Sequence, residues 1–141
     1  MKKKIECVLL VDDDEPTNFL SQMIVEAAAC ANDIQVASSG ADALWYLTGD
    51  NEKEKSTRPQ PDLIFLDINM PAMNGWEFLQ QYEALGERKN DNRVIIMLTT
   101  SLNPDDKLKA ERITSVKGFE HKPLTEEKLN GILRKHFPAN F

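Results

Sequence analysis

Two short apolar runs in this chain each stop at an acid. Val8-Leu9-Leu10-Val11 runs into Asp12 and Asp13, and Leu63-Ile64-Phe65-Leu66 runs into Asp67. Four apolar residues in a row, without polar alternation, read as a parallel strand buried on both faces. Such a strand needs helices above and below it, which confines the chain to a layered α/β fold. In open α/β sheets, chemistry sits beyond the carboxyl ends of the strands. Neighbouring strands therefore bring three carboxylates to one rim, where they repel one another unless a cation joins them. Carboxylate oxygens suit Mg²⁺, which takes a few protein oxygens and keeps several waters. The expectation is an acidic Mg²⁺ site with one carboxylate free to act as a nucleophile.

The rest of the chain alternates in the same way. The first strand covers about Cys7 to Val11. A helix is expected from about Thr17 to Ala31, with Phe19, Leu20, Met23, Ile24 and Ala27 on one stripe. A short strand from Asp33 to Ala37 follows, then a helix capped by Ser38 or Ser39 that carries Ala43, Leu44 and Leu47 and ends at Gly49. Asp50 to Pro61 is polar and proline-bearing and reads as a long exposed loop. The third strand spans Asp62 to Leu66, and a helix from Gly75 to Leu85 turns Phe78, Leu79, Tyr82 and Leu85 inward. Val94 to Leu98 is a fourth strand. Pro104 opens a weakly amphipathic helix whose main apolar residues are Leu108 and Ile113. Val116 to His121 is a fifth strand, and Leu129, Ile132, Leu133 and His136 mark the last helix. Strand–helix alternation implies right-handed crossovers and helices on both faces of one parallel sheet.

Length and charge narrow the function. The 141 residues suit one domain with one core, over residues 1–141. A net charge of −6 argues against nonspecific binding to DNA or acidic membranes. Lys2-Lys3-Lys4 is a solvated terminal run, and no apolar stretch is long enough for a signal core or a membrane span. Cys7 and Cys30 have neither CxxC nor metal spacing and read as buried thiols of a cytoplasmic protein.

Five landmarks at strand ends now fall in order: Val11-Asp12-Asp13, Leu66-Asp67-Ile68-Asn69-Met70-Pro71, Asn74-Gly75, Thr99-Thr100, and Gly118-Phe119 with Lys122-Pro123. In these the chain resembles the receiver domains of bacterial two-component response regulators, from about Ile5 to Phe137 (core about 5–137). The resemblance implies a flavodoxin-like, doubly wound five-stranded parallel sheet in the order 2-1-3-4-5. It implies Asp67 as phosphoacceptor and Asp12 and Asp13 as the acidic pair that organises Mg²⁺, Asp13 being the more direct ligand. Asn69 matches the position whose backbone carbonyl joins the metal, and Asp67 completes the set. Thr99 and Lys122 match the residues that contact the phosphoryl group. Thr99 and Phe119 match the switch pair that remodels the helix 4, strand 5, helix 5 face. The implied protein is a stand-alone signalling switch, not a metabolic enzyme, that promotes its own phosphorylation and dephosphorylation. Its implied partners are a histidine kinase or histidine phosphotransfer protein, a downstream protein target and a second copy as homodimer. No direct nucleic-acid contact or membrane insertion is implied.

Some positions depart from the commonest family pattern. Asn74 replaces a frequent Asp, and both suit a turn. Thr100 is larger than usual beside the phosphoryl position. Phe119 stands where Tyr is frequent. Asp14 and Ser101 lie near the site and are candidates to tune dephosphorylation. Taken singly, each acid is an ordinary helix cap and Phe119 an ordinary core residue; convergence with Asp67, Thr99 and Lys122 makes the site reading. Trp45, Tyr46 and Trp76 read as packing or surface residues, and His121 and His136 have no ligand spacing.

Three other functions compete. A phosphorelay intermediate, passing phosphate to a histidine phosphotransfer protein, would use the same residues. An aspartyl-nucleophile phosphohydrolase usually needs an acid two residues after the nucleophile, where this chain has Asn69. A flavin-binding reading conflicts with Asp12-Asp13-Asp14-Glu15, which would repel the flavin phosphate.

Overall fold

The computed structural model describes residues 2–49, 59–85 and 92–141. Five parallel strands are joined in the order β2-β1-β3-β4-β5. They are β1 (Ile5–Val11), β2 (Ala31–Ala37), β3 (Leu63–Leu66), β4 (Val94–Thr99) and β5 (Val116–His121). The helices are α1 (Glu15–Ala28), α2 (Gly40–Thr48), α3 (Gly75–Glu83), α4 (Pro104–Glu111) and α5 (Glu126–His136), and a 3₁₀ turn follows at Pro138–Asn140. Most of the expected Asp50–Pro61 loop lies outside the described residues. Its end is fixed: Tyr46 donates its hydroxyl to the Pro59 carbonyl, and the buried Arg93 donates Nε to the Pro61 carbonyl.

The apolar runs do what their composition demands. Every residue of β3 and β4 is buried, as is β1 apart from Glu6. One face of these strands, with Leu9, Ile64 and Met97, packs against α2, α3 and the end of α4; the other, with Val8, Phe65 and Ile96, packs against α1 and α5. Each fully buried aliphatic or aromatic side chain stabilises the sheet by roughly 1.5–3 kcal/mol relative to exposure.

The helices start where their caps place them. Asp14, Ser39, Asn74, Asn103 and Thr125 each accept a first-turn backbone N–H. In α3, Asn74 and Glu77 form a reciprocal capping box. Gly49 has φ 65° at the end of α2, a conformation glycine adopts without steric cost.

Three expectations need correction. First, α1 stops at Ala28 because Ala29 turns left-handed with φ 51°, and β2 begins at Ala31. Second, most of the expected α1 stripe faces outward: Phe19 is 63% exposed, Leu20 56% and Met23 50%, and Ala27 is exposed too, whereas Ile24 packs against the core and Asn18, Ser21 and Val25 are buried. The inward face opens with a polar residue because Asn18 Nδ2 bonds the Asp12 carbonyl at the end of β1, and it continues with Val25, Ile24 and Ala28 on the core. Third, Leu108 is 51% exposed, and Ala110 supplies the buried contact of α4; Ile113 lies beyond the end of the helix and packs on the core from there. A short helix that buries one alanine shows little periodicity in its sequence.

Candidate functional site

The sheet ladder carries the acids to the rim. Val11 of β1 sits opposite Leu66 of β3, and Leu66 opposite Met97 of β4. The ladder runs on past these residues: Asp12 donates its N–H to the Ala37 carbonyl at 3.1 Å, and Asp67 to the Val11 carbonyl at 3.0 Å. Asp12 and Asp67 are therefore fixed by backbone bonds as well as by their burial. Ligand oxygens of Asp12, Asp13 and Asp67 lie within 4.8 Å of one another, with Asp13 exposed.

Local contacts orient the two buried acids. Asp12 Oδ1 accepts the Asp14 N–H at 2.9 Å, and the Asp12 carbonyl accepts Nδ2 of the buried Asn18 at 2.8 Å. Asp67 Oδ1 accepts the Ile68 N–H at 2.9 Å. Gly75 is required behind Asp67: a Cβ there would lie 2.4 Å from the Asp67 carbonyl oxygen, and the Gly75 N–H bonds the Ile68 carbonyl at 2.7 Å. Asn69 is exposed in the turn after β3.

Lys122 supplies the cation. Its Nζ lies 2.5 Å from Asp12 Oδ2 and 3.4 Å from Asp67 Oδ2. Its own N–H donates to the Thr99 carbonyl at 2.9 Å, so β4 sets its position. Lys128 Nζ donates to the carbonyls of His121 and Pro123, closing the turn on either side of Lys122.

Burial governs the electrostatics. It pushes the Asp67 carboxyl above its ordinary range, the Asp12 charge adds to this, and Lys122 offsets only part. Burial lowers the Lys122 ammonium, but its bonds and charge pairing with Asp12 and Asp67 prevail and hold it above the usual lysine range. Three carboxylates facing one ammonium leave an excess of negative charge. The donors are all oxygens, buried on Asp12 and Asp67 and exposed on Asp13, and this chemistry fits a hard divalent cation such as Mg²⁺.

The two expected switch residues lie on β4 and β5. Thr99 is buried at the end of β4, and its Oγ1 accepts the Ser101 N–H at 3.1 Å. Phe119 sits opposite Met97, half-buried against the α2/α3/α4 side of the core, with its ring edge-to-face with His121 at 5.7 Å. Sequence reading missed Asn18 and Lys128. Neither has a motif, and both act through backbone carbonyls that only the fold brings near.

The family model of the response regulator receiver domain matches residues 8–134. The chain belongs to that family. Among curated relatives, the receiver is 31% identical to the response regulator Rcp1 of Synechocystis over 99 residues, 70% of this chain and 65% of Rcp1. Two others, a rice two-component response regulator and a probable C4-dicarboxylate response regulator of Halalkalibacterium halodurans, are matched over little more than half their own length. A two-component response regulator from Cytophaga hutchinsonii has the same fold, with a TM-score of 0.84, 33% identity, and coverage of 96% of the receiver and 99% of that chain. The Mn²⁺-bound form of Rcp1 superposes with a TM-score of 0.72 at 25% identity, covering 92% of each chain. The flavodoxin-like architecture expected from the sequence is the one found. No helix among the described residues is long and apolar enough to cross a membrane.

Proposed function

We propose that this receiver is a switch that takes a phosphoryl group from phosphohistidine onto Asp67. The observation that carries the reading is the meeting of Asp12, Asp13 and Asp67 with the Lys122 ammonium at the rim of the sheet. An Asp67 carboxylate oxygen attacks phosphorus, a P–O bond forms, the P–N bond breaks, and its electron pair returns to the imidazole. Asp12, Asp13, Asp67 and the Asn69 carbonyl would hold Mg²⁺, which when bound neutralises phosphoryl oxygen charge. Lys122 adds a point charge, freed from part of its pairing with Asp67 as the carboxylate becomes an acyl phosphate.

The same reading assigns the response. The Thr99 hydroxyl turns toward the phosphoryl oxygens, and Phe119 moves into the space vacated. The α4/β5/α5 face is remodelled for a protein target or a second copy of the chain. The donor is a histidine kinase or histidine phosphotransfer protein, and the setting is the cytoplasm. Phe19, Leu20 and Met23 support the donor role of a protein, since they present apolar surface on the helix that starts beside Asp14.

Intact-mass measurement with a small-molecule phosphodonor tests the proposal. Wild type gains one phosphoryl group only with Mg²⁺, and Asp67→Asn gains none. Labelling of Asp67→Asn equal to wild type would refute the assignment.

A further inference from the structure

Thr99 is tied to the first turn of α4 through a third residue. Its Oγ1 accepts the N–H of Ser101. The Ser101 hydroxyl donates to Asp106 Oδ2 and accepts the Asn103 N–H at 3.3 Å. Asn103 in turn caps α4, and its carbonyl accepts the Asp106 N–H at 3.1 Å. Asp106 is half-buried and faces the loop, although it stands outside the carboxylate cluster. The segment thus closed carries Leu102, 85% exposed.

We propose that Asp106 is a positioning residue for Thr99: by holding Ser101 it keeps the Thr99 hydroxyl on the loop side, and so sets how readily the switch leaves its resting state. The inference rests on the role given to Thr99 above. The physical basis is direct. A carboxylate accepting a hydroxyl proton makes a charge-assisted bond, stronger than a neutral one. That bond is present together with the bond from the Ser101 N–H to Thr99, so it favours the loop conformation that offers this N–H. A phosphoryl group that recruits the Thr99 hydroxyl competes with this arrangement, so removing the tether shifts the balance toward the recruited state. Among the described residues, the loop and side-chain hydrogen bonds of Ser101 and Asp106 run to Thr99, Asn103 and one another and not to Asp12, Asp13 or Asp67.

Residue-resolved amide exchange on the unphosphorylated chain, paired with phosphodonor labelling rates, tests this. Asp106→Ala speeds exchange at the Ser101 amide, and speeds labelling of Asp67, by about three- to tenfold, the scale of one lost hydrogen bond. Asp106→Asn, whose amide oxygen still accepts the Ser101 hydroxyl, stays closer to wild type. Ser101→Ala matches Asp106→Ala, and the double variant is no faster than either single one. Unchanged Ser101 exchange in Asp106→Ala overturns the proposal, even if the melting temperature falls. So do additive effects in the double variant, or an Asp106→Asn as fast as Asp106→Ala. If exchange behaves as stated but wild type takes no label, the phosphoacceptor reading fails while the tether stands.

Discussion

The central strands and the β5/α4 edge of this molecule are built to different standards. In β3 and β4 every residue is buried, whereas β5 has none fully buried. Residue pairing between β1 and β3 and between β3 and β4 is continuous, while the β4–β5 register slips between Ile95 and Ile96. The α4 helix beside that edge buries only Ala110. The carboxylates stand on the tight part, and Phe119 and the loop after Thr99 stand on the loose part. Chemistry that depends on sub-ångström placement needs the first, and a response driven by one added group needs the second. Under the proposed function, the contrast means that a phosphoryl signal would have little packing to overcome at the β5/α4 edge.

Mutation can break this contrast or sharpen it. Phe65→Ala, in the middle of the buried strands, is expected to cost about 3–5 kcal/mol in urea unfolding, the usual loss for a large core side chain. Gly75→Ala forces a Cβ against the Asp67 carbonyl and is expected to cost about 1–3 kcal/mol by overpacking. It also lowers the labelling rate by displacing Asp67, which mass measurement over time would show. Leu108→Ala on α4 should change stability by no more than about 0.5 kcal/mol. A Leu108 cost as large as that of Phe65 would erase the distinction.

One substitution at the tight end should work in the opposite direction. Because the Asp67 carboxyl is raised above its ordinary 3.8, chiefly by burial and then by Asp12, the folded chain holds that proton more firmly than the unfolded chain. Its contribution therefore favours folding below 3.8 and is lost as pH rises through the folded value, so the ionised carboxylate opposes folding at neutral pH. Asp67→Asn is expected to raise the melting temperature slightly in metal-free neutral buffer. The advantage narrows as pH falls toward 3.8. A lower melting temperature at neutral pH would mean that the Lys122 pairing outweighs burial. The smallest effect concerns Cys7, whose thiol burial pushes up to about 12, with Asp33 adding to it. Its alkylation at mildly alkaline pH should track global unfolding and leave the native chain unmodified.

How much of this was legible in the sequence follows the same division. The buried strands announce themselves, since both faces are apolar and the acids stop them abruptly. The β5 limits, Val116 to His121, were also readable, as were the inward residues of α3 and α5. The acids are legible because strand ends converge in this architecture, and Lys122 through the resemblance to receiver domains; the structure brings its ammonium to Asp12 and Asp67. The outward turn of Phe19, Leu20 and Met23 was not readable, because helical spacing identifies a stripe without saying which side meets the sheet. Nor was the bond from Thr99 to Ser101, or the one from Ser101 to Asp106. Hydrogen bonds of a tight loop depend on backbone path, which residue types alone leave undetermined.

The most direct test of the two-part design is amide exchange with and without beryllofluoride and Mg²⁺, a mimic of the phosphorylated carboxylate. The account predicts altered protection across the loop from Thr99 to Pro104, in α4 and at Phe119, with β1 and β3 amides unchanged and no response in Asp67→Asn. Unaltered exchange at Phe119 and the loop, or equal changes throughout β1 and β3, would contradict it.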